Sequence, residues 1–195
     1  MTVRLGLWER KKNKTRQLVQ REGLRLFVEQ GYTNTTVDQL CAVAEISQST
    51  FFRYFPTKED VVFGDDYGPF LEEAISRRPV DEPVVEVFRS AVLDLLDRRV
   101  SQDRDAMLAR IKLAAEVRAL GTRMRQLQQE WVVALAALLA GRVGRNERDD
   151  SFRIAAAVLV AVASEVLLYW AEQDGQPDLR ELFTRAMDRL ADMTV

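Results

Sequence analysis

SQSTFFRYFPTKED, residues 47–60, places four aromatic residues and an arginine between Phe51 and Pro56. A buried strand could take Phe51, Phe52, Tyr54 and Phe55, but Arg53 in its middle would be hard to accommodate. Wound at about 100° per residue, the same stretch separates into two sides. Phe51, Tyr54 and Phe55 share one arc, and Gln48, Ser49, Phe52 and Arg53 share the opposite, broader one. A helix this short gains no stability from an outward phenylalanine and arginine. The outer arc therefore reads as a surface that meets a partner.

Working outward, the stretch is the second half of a helix–turn–helix. Residues 36–44 form the first helix, with Thr35 or Thr36 as its cap and Asp38 in a first turn that favours an anion. Glu45–Ser47 is the turn, and residues 48–55 form the second helix, capped by Ser47 and closed by Pro56. Such a pair lets the first helix cross a nucleic-acid backbone while the second enters the major groove. Gln48 and Ser49 then lie nearest base edges, with Phe52 beside them. Arg53, one turn on, can grip guanine or reach a phosphate. Thr50, the caps Thr36 and Ser47, and Lys58 are the candidate phosphate contacts. The same pattern also fits a helical hairpin with a solvated face.

Upstream, residues 10–30 place Val19, Gly23, Leu26, Phe27 and Gln30 near one helical face, and Gly31 is a natural stop. Residues 1–25 hold eight Lys or Arg against Glu9 and Glu22, while residues 61–195 hold 18 basic against 23 acidic residues. A basic head on an acidic body fits a DNA-binding module joined to a different one, or simply a solvated basic helix start.

The remaining chain reads almost wholly with helical period. Thr57 is positioned to cap a fourth helix from Lys58, which Gly68 and Pro69 should kink or end. Further helices are predicted from Asp81 to about Arg99 and over 103–119, 122–141, 149–174 and 178–193, with breaks at Gly121, GRVGRN and DGQPD. The fold class is all-α, about nine helices, divided as 1–57 and 58–195. Among 195 residues, nine glycines and five prolines suit long helices. The lone Cys41 excludes an intrachain disulfide. Ile154–Ala163 is apolar on every side, so it needs cover all round, from its own subunit or from a second one as well. At ten residues this apolar run is short for a membrane span. No secretory signal is recognisable, and the expected location is cytoplasmic, with no membrane partner.

The chain contains no histidine, which removes imidazole bases, Ser–His–Asp triads and His-based metal sites. No carboxylate spacing singles out a catalytic pair, and no glycine-rich phosphate loop occurs. The sequence predicts no enzyme, no metal and no cofactor. Candidates to line a small-molecule pocket are Tyr67, Phe70, Phe88, Met107, Ile111 and Trp131, although aromatics at helical spacing also serve as ordinary core. Tyr169 and Trp170 are candidates for a subunit contact instead.

Residues 15–62, TRQLVQREGLRLFVEQGYTNTTVDQLCAVAEISQSTFFRYFPTKEDVV, resemble the DNA-binding region of the TetR family of bacterial transcriptional regulators. The matching elements, in order, are LRLFVEQGY, TTV, IS and STFFRYFPTKEDV. The resemblance implies a homodimer whose two helix–turn–helix units read a palindromic double-stranded DNA operator. It implies a dimer interface on residues 149–174 and 178–193. It also implies a helical C-terminal domain that releases DNA on binding a small effector, here expected to be apolar or aromatic. Three features depart from the family pattern. Phe52 stands where tyrosine is common, and Glu22 and Gly23 stand where small alanines are usual, which predicts looser packing of the first helix. Gly68–Pro69 interrupts the connecting helix, as a hinge or a tolerated kink. The alternative is a helical ligand-binding or scaffold protein of the same fold without sequence-specific DNA binding.

Overall fold

The computed structural model describes residues 7–63, 67–100, 103–144 and 150–192, and the described residues form nine α-helices and no strand. Helix α1 spans Leu7–Gln30, α2 Val37–Val43 and α3 Gln48–Tyr54. Helix α1 ends at Gly31, whose φ of +87° is open to glycine and strained for other residues. Asn34 then donates to the freed carbonyl of Gln30 at 2.8 Å. Val19, Phe27, Leu40, Phe51 and Phe55, each buried to within 1%, form the centre of this head.

The segment after α3 departs from the expected fourth helix. Glu59–Val61 is a single 3-10 turn, and Thr57 does not cap it. Instead the Thr57 backbone N–H and hydroxyl both donate to Asp60, at 2.9 and 2.8 Å. Helix α4, Gly68–Ser76, starts at the glycine–proline pair, so that pair opens a helix rather than kinking one. Gly23 also departs from expectation. A Cβ there would lie 2.7 Å from Val61, so α1 packs more closely on the 3-10 turn than an alanine would permit.

The body comprises α5 (Val84–Leu95, continued by a π-helical turn over Leu96–Val100), α6 (Arg104–Glu116), α7 (Arg118–Arg142), α8 (Asp150–Glu172) and α9 (Leu179–Asp192). The break before α7 falls at Val117, in extended backbone, rather than at Gly121. Gly121 lies inside α7, where a Cβ would come 3.0 Å from the carbonyl oxygen of Ala114. Arg142, at the end of α7, donates to the carbonyls of Ile75, Arg78 and Pro79 and closes the end of α4. Phe88, Leu159, Trp170, Phe183 and Met187 belong to one continuous body core. Trp170 is fully buried there and donates to Pro177 O at 3.0 Å, so it serves its own subunit. Tyr169 beside it is exposed.

Packing crosses residue 57. Val61 and Val62 belong to the head core, as do Ala114 of α6 and Leu120 of α7. The α6–α7 corner is thus the wedge that joins head to body. Helix α8 is long and apolar enough to cross a membrane by length and composition alone. Its Ala156, Leu159 and Trp170 face the body core, however, while Ile154, Ala157, Val158, Ala161 and Tyr169 stay exposed. The run is apolar all round, and its own chain covers one flank.

Candidate nucleic-acid interface

Two side-chain caps, the first of them reciprocal, set the frame of the helix–turn–helix. The Thr36 hydroxyl accepts from Gln39 N at 3.2 Å, and the Gln39 side chain accepts from Thr36 N at 2.8 Å, which fixes Thr36 rather than Thr35 as the cap of α2. Thr35 is buried instead and donates to Gly31 O at 3.0 Å. At α3, Ser47 Oγ accepts from Thr50 N at 3.2 Å and bonds the Thr50 hydroxyl at 3.1 Å. The hydroxyls of Thr36, Ser47 and Thr50 are therefore engaged within the head itself.

Phe51 and Phe55 hold α3 against the core, with ring centroids 5.4 Å apart. The opposite side presents Gln48, Ser49, Phe52 and Arg53 to solvent, as the helical reading requires. Phe52 is half exposed, and its ring meets Phe51 edge-on at 5.3 Å, which holds it in place on the surface. The Arg53 guanidinium lies 5.2 Å from the Tyr54 ring centre. Arg16 of α1 approaches the other side, 5.7 Å from the Phe55 ring.

Lys58, a candidate phosphate contact, is engaged within the head. Its Nζ donates to Tyr32 O and Thr35 O, both at 2.9 Å, and sits 4.0 Å over the Tyr32 ring. Burial lowers its pKa, with Glu59 acting in the other direction. The ammonium ties the loop before α2 to the turn after α3. Next to it, the Tyr32 hydroxyl donates to Glu59 at 2.6 Å. On the body side of the same turn, Asp60 accepts from Arg123 of α7 at 2.7 Å. The turn that follows the recognition helix is thus held by both head and body.

Asp38, read from sequence only as a favourable charge in the first turn of α2, accepts a hydrogen bond from the Gln48 side-chain amide. No helical spacing connects positions 38 and 48. Only the helix–turn–helix crossing brings them together.

The six candidate pocket residues differ in their burial. Phe88, Met107 and Ile111 are closed core, Tyr67 packs on its edge, and Phe70 and Trp131 are half-buried. Periodicity marks a face as apolar, and for Phe88, Met107 and Ile111 that face is buried core. An open cleft of about 350 Å³ lies instead across α6, α7 and α8. Ala114, Met124 and Leu168 give it an apolar lining, and Arg118, Arg125 and Gln128 supply polar groups. Ala114 belongs to the head core and Met124 packs against it, whereas Leu168 packs against the body core. The cleft thus straddles the joint between them.

A family model for the MftR C-terminal domain matches residues 82–194, and one for bacterial regulatory proteins of the tetR family matches residues 21–63. The chain is 31% identical over 198 residues to the HTH-type transcriptional regulator TcmR of Streptomyces glaucescens, covering 95% of this chain and 86% of that protein. Among solved structures, FadR of Thermus thermophilus, a TetR-family repressor in complex with lauroyl-CoA, matches with a TM-score of 0.57. That match has 23% identity and covers 90% of this chain and 93% of the other. FadR of Bacillus halodurans matches with a TM-score of 0.60 at 18% identity, covering 89% of this chain and 93% of the other. These structural likenesses show the shared fold, and the sequence matches show descent. The chain belongs to the TetR family of bacterial transcriptional regulators.

Proposed function

We propose that this regulator is a homodimeric, cytoplasmic repressor, without enzymatic activity, that reads a palindromic operator through α3 and leaves it on binding a small molecule. The observation that carries the reading is the division of α3. Phe51 and Phe55 are fully buried, while Gln48, Ser49, Phe52 and Arg53 project together from the other side. Gln48 offers both a donor and an acceptor and Arg53 a fork of donors suited to base edges, and Phe52 offers apolar contact to a thymine methyl. The exposed apolar stripe of α8 supports a second copy as its cover, with α9 alongside. The cleft at the α6–α7 corner is the proposed effector site. Its apolar lining and two arginines suit a small molecule with an apolar body and an anionic group.

Selection of the full-length protein on a pool of randomised duplexes, followed by a salt series on the recovered sequence, tests the reading. The expected result is a palindromic site bound far more tightly than unrelated DNA, with affinity falling steeply as salt rises. Failure to bind any duplex at low salt would overturn it and favour a helical ligand-binding or scaffold protein of the same fold.

A further inference from the structure

We propose that Asp38 is a specificity-determining residue that orients Gln48 toward one adenine of the operator. The inference rests on α3 being the reading helix. Asp38 stands in the first turn of α2 and Gln48 is the first residue of α3, both exposed on the same side of the head. The Asp38 carboxylate accepts a hydrogen bond from Gln48 Nε2.

A glutamine amide has one acceptor oxygen and two N–H donors. Unrestrained, it can turn over and present these groups in either order. A carboxylate alongside removes that freedom, because it attracts the NH₂ end and repels Oε1. With one N–H held by Asp38, the groups left for DNA are Oε1 and the second N–H. That pair is complementary to the adenine major-groove edge, where N6–H₂ donates and N7 accepts. Guanine offers two acceptors on that edge and would leave Oε1 facing another oxygen. The carboxylate therefore selects both the base and the strand it sits on.

The same charge opposes the phosphate backbone that α2 is placed to cross. Asp38 thus weakens binding to every sequence while sharpening it for one. Asparagine at this position removes the charge and can meet Gln48 with either its oxygen or its NH₂, so it keeps a hydrogen bond without fixing its order. Alanine keeps neither the bond nor the charge. Only the carboxylate fixes the order, and both substitutions lift the repulsion of the backbone.

The experiment is duplex selection with full-length wild type, Asp38→Asn, Asp38→Ala, Gln48→Ala and the double variant Asp38→Ala/Gln48→Ala. Affinities are then measured for the recovered site and for versions changed at each base pair. In the wild type, changing the adenine read by Gln48 should cost on the order of tenfold in affinity. Gln48→Ala should abolish that preference, and Asp38→Ala should reduce it at least threefold at the same base pair and nowhere else. The double variant should match Gln48→Ala. Asp38→Asn should weaken the preference at that base pair, since its amide can offer Gln48 either an oxygen or an N–H, and should bind all duplexes more tightly because the charge is gone. Asp38→Ala with the full wild-type preference, on a protein that melts normally, would overturn the inference while leaving the regulator reading intact. Wild type that enriches no sequence would overturn both.

Discussion

Replacing Gly23 by alanine should destabilise the head, against the usual direction of such a change inside a helix. Glycine to alanine in an open helix gains about 1 kcal/mol from backbone entropy and propensity. Here the new methyl would stand 2.7 Å from Val61 Cγ1 and 3.1 Å from Leu40 Cδ2. Carbon atoms pack best at about 3.5–4.0 Å, so the first contact is roughly 1 Å too close. Val61 and Leu40 are both buried, Val61 is β-branched and stiff, and its turn is anchored through Tyr32–Glu59 and Asp60–Arg123. Overpacking of this kind costs about 1–3 kcal/mol, which leaves a net loss of about 1 kcal/mol. Removing the Val61 methyls makes room, and the Leu40 terminus can turn aside from the remaining contact. In a Val61→Ala background, Gly23→Ala should therefore stabilise by about 1 kcal/mol, a coupling of about 2 kcal/mol across the pair. Urea unfolding of the four proteins at one fixed protein concentration measures this, because stability of a dimer depends on concentration. Stabilisation by Gly23→Ala in the otherwise native chain would refute the close approach of α1 to the turn.

Lys58→Ala should lower stability by about 2 kcal/mol, since two backbone carbonyls lose a charged donor, and should leave the salt dependence of operator binding unchanged. A shallower salt slope with unaltered stability would instead place Lys58 on a phosphate. Burial alone would raise the Glu59 carboxyl, but hydrogen bonds from Tyr32, its own backbone N–H and Thr57 outweigh it and hold the pKa below the ordinary value. Because the folded pKa lies below the unfolded one, this stabilisation is present above the unfolded value of about 4.3 and is lost as pH falls through the folded value. Tyr32→Phe should lower neutral-pH stability by about 1 kcal/mol and flatten that acid decline, as unfolding midpoints between neutral and acidic pH would reveal. An equally steep decline would remove the Tyr32–Glu59 bond from the account. Ile154→Asp should reduce the sedimenting species to the 22.3 kDa single chain without altering its helical content, because Ile154 is exposed on α8. A dimer that survives the change would move the interface elsewhere.

The elements legible in the sequence are those whose signals are local. The aromatic spacing of residues 51–55 and the caps at Thr36 and Ser47 each act within one turn of helix, and the structure repeats them. Residues whose meaning depends on distant partners were read less well. Thr57 looked like a helix cap because a threonine before Lys-Glu-Asp has that form, yet its turn is held by Tyr32 and by Arg123 on another helix. Gly121 looked like a break because glycine often is one, yet its value here is the close approach of α7 to Ala114. Phe88, Met107 and Ile111 have the spacing of an inward face, and that spacing is the same for a filled core and for a pocket wall. The cleft that does open is lined by residues of modest individual signal, two alanines and a glycine among them.

The same distinction separates the two halves of the proposed mechanism. Reading DNA requires a rigid outer face, and local rules suffice to build one on α3. Releasing DNA requires a joint, and a joint exists only between segments far apart in the chain. Asp60 is bonded to Thr57 on its own turn and to Arg123 on α7, while Lys58 and Glu59 bond back to the loop before α2. Any shift of the α7 start is therefore passed to residues within a few positions of α3. Gly121, Met124 and Arg125 line the cleft on that same part of α7, with Arg123 among them in sequence. Under the proposed reading, an effector in the cleft that moves the start of α7 also moves the Arg123 partner of Asp60 and the head-core residue Leu120, which couples the site to the placement of α3.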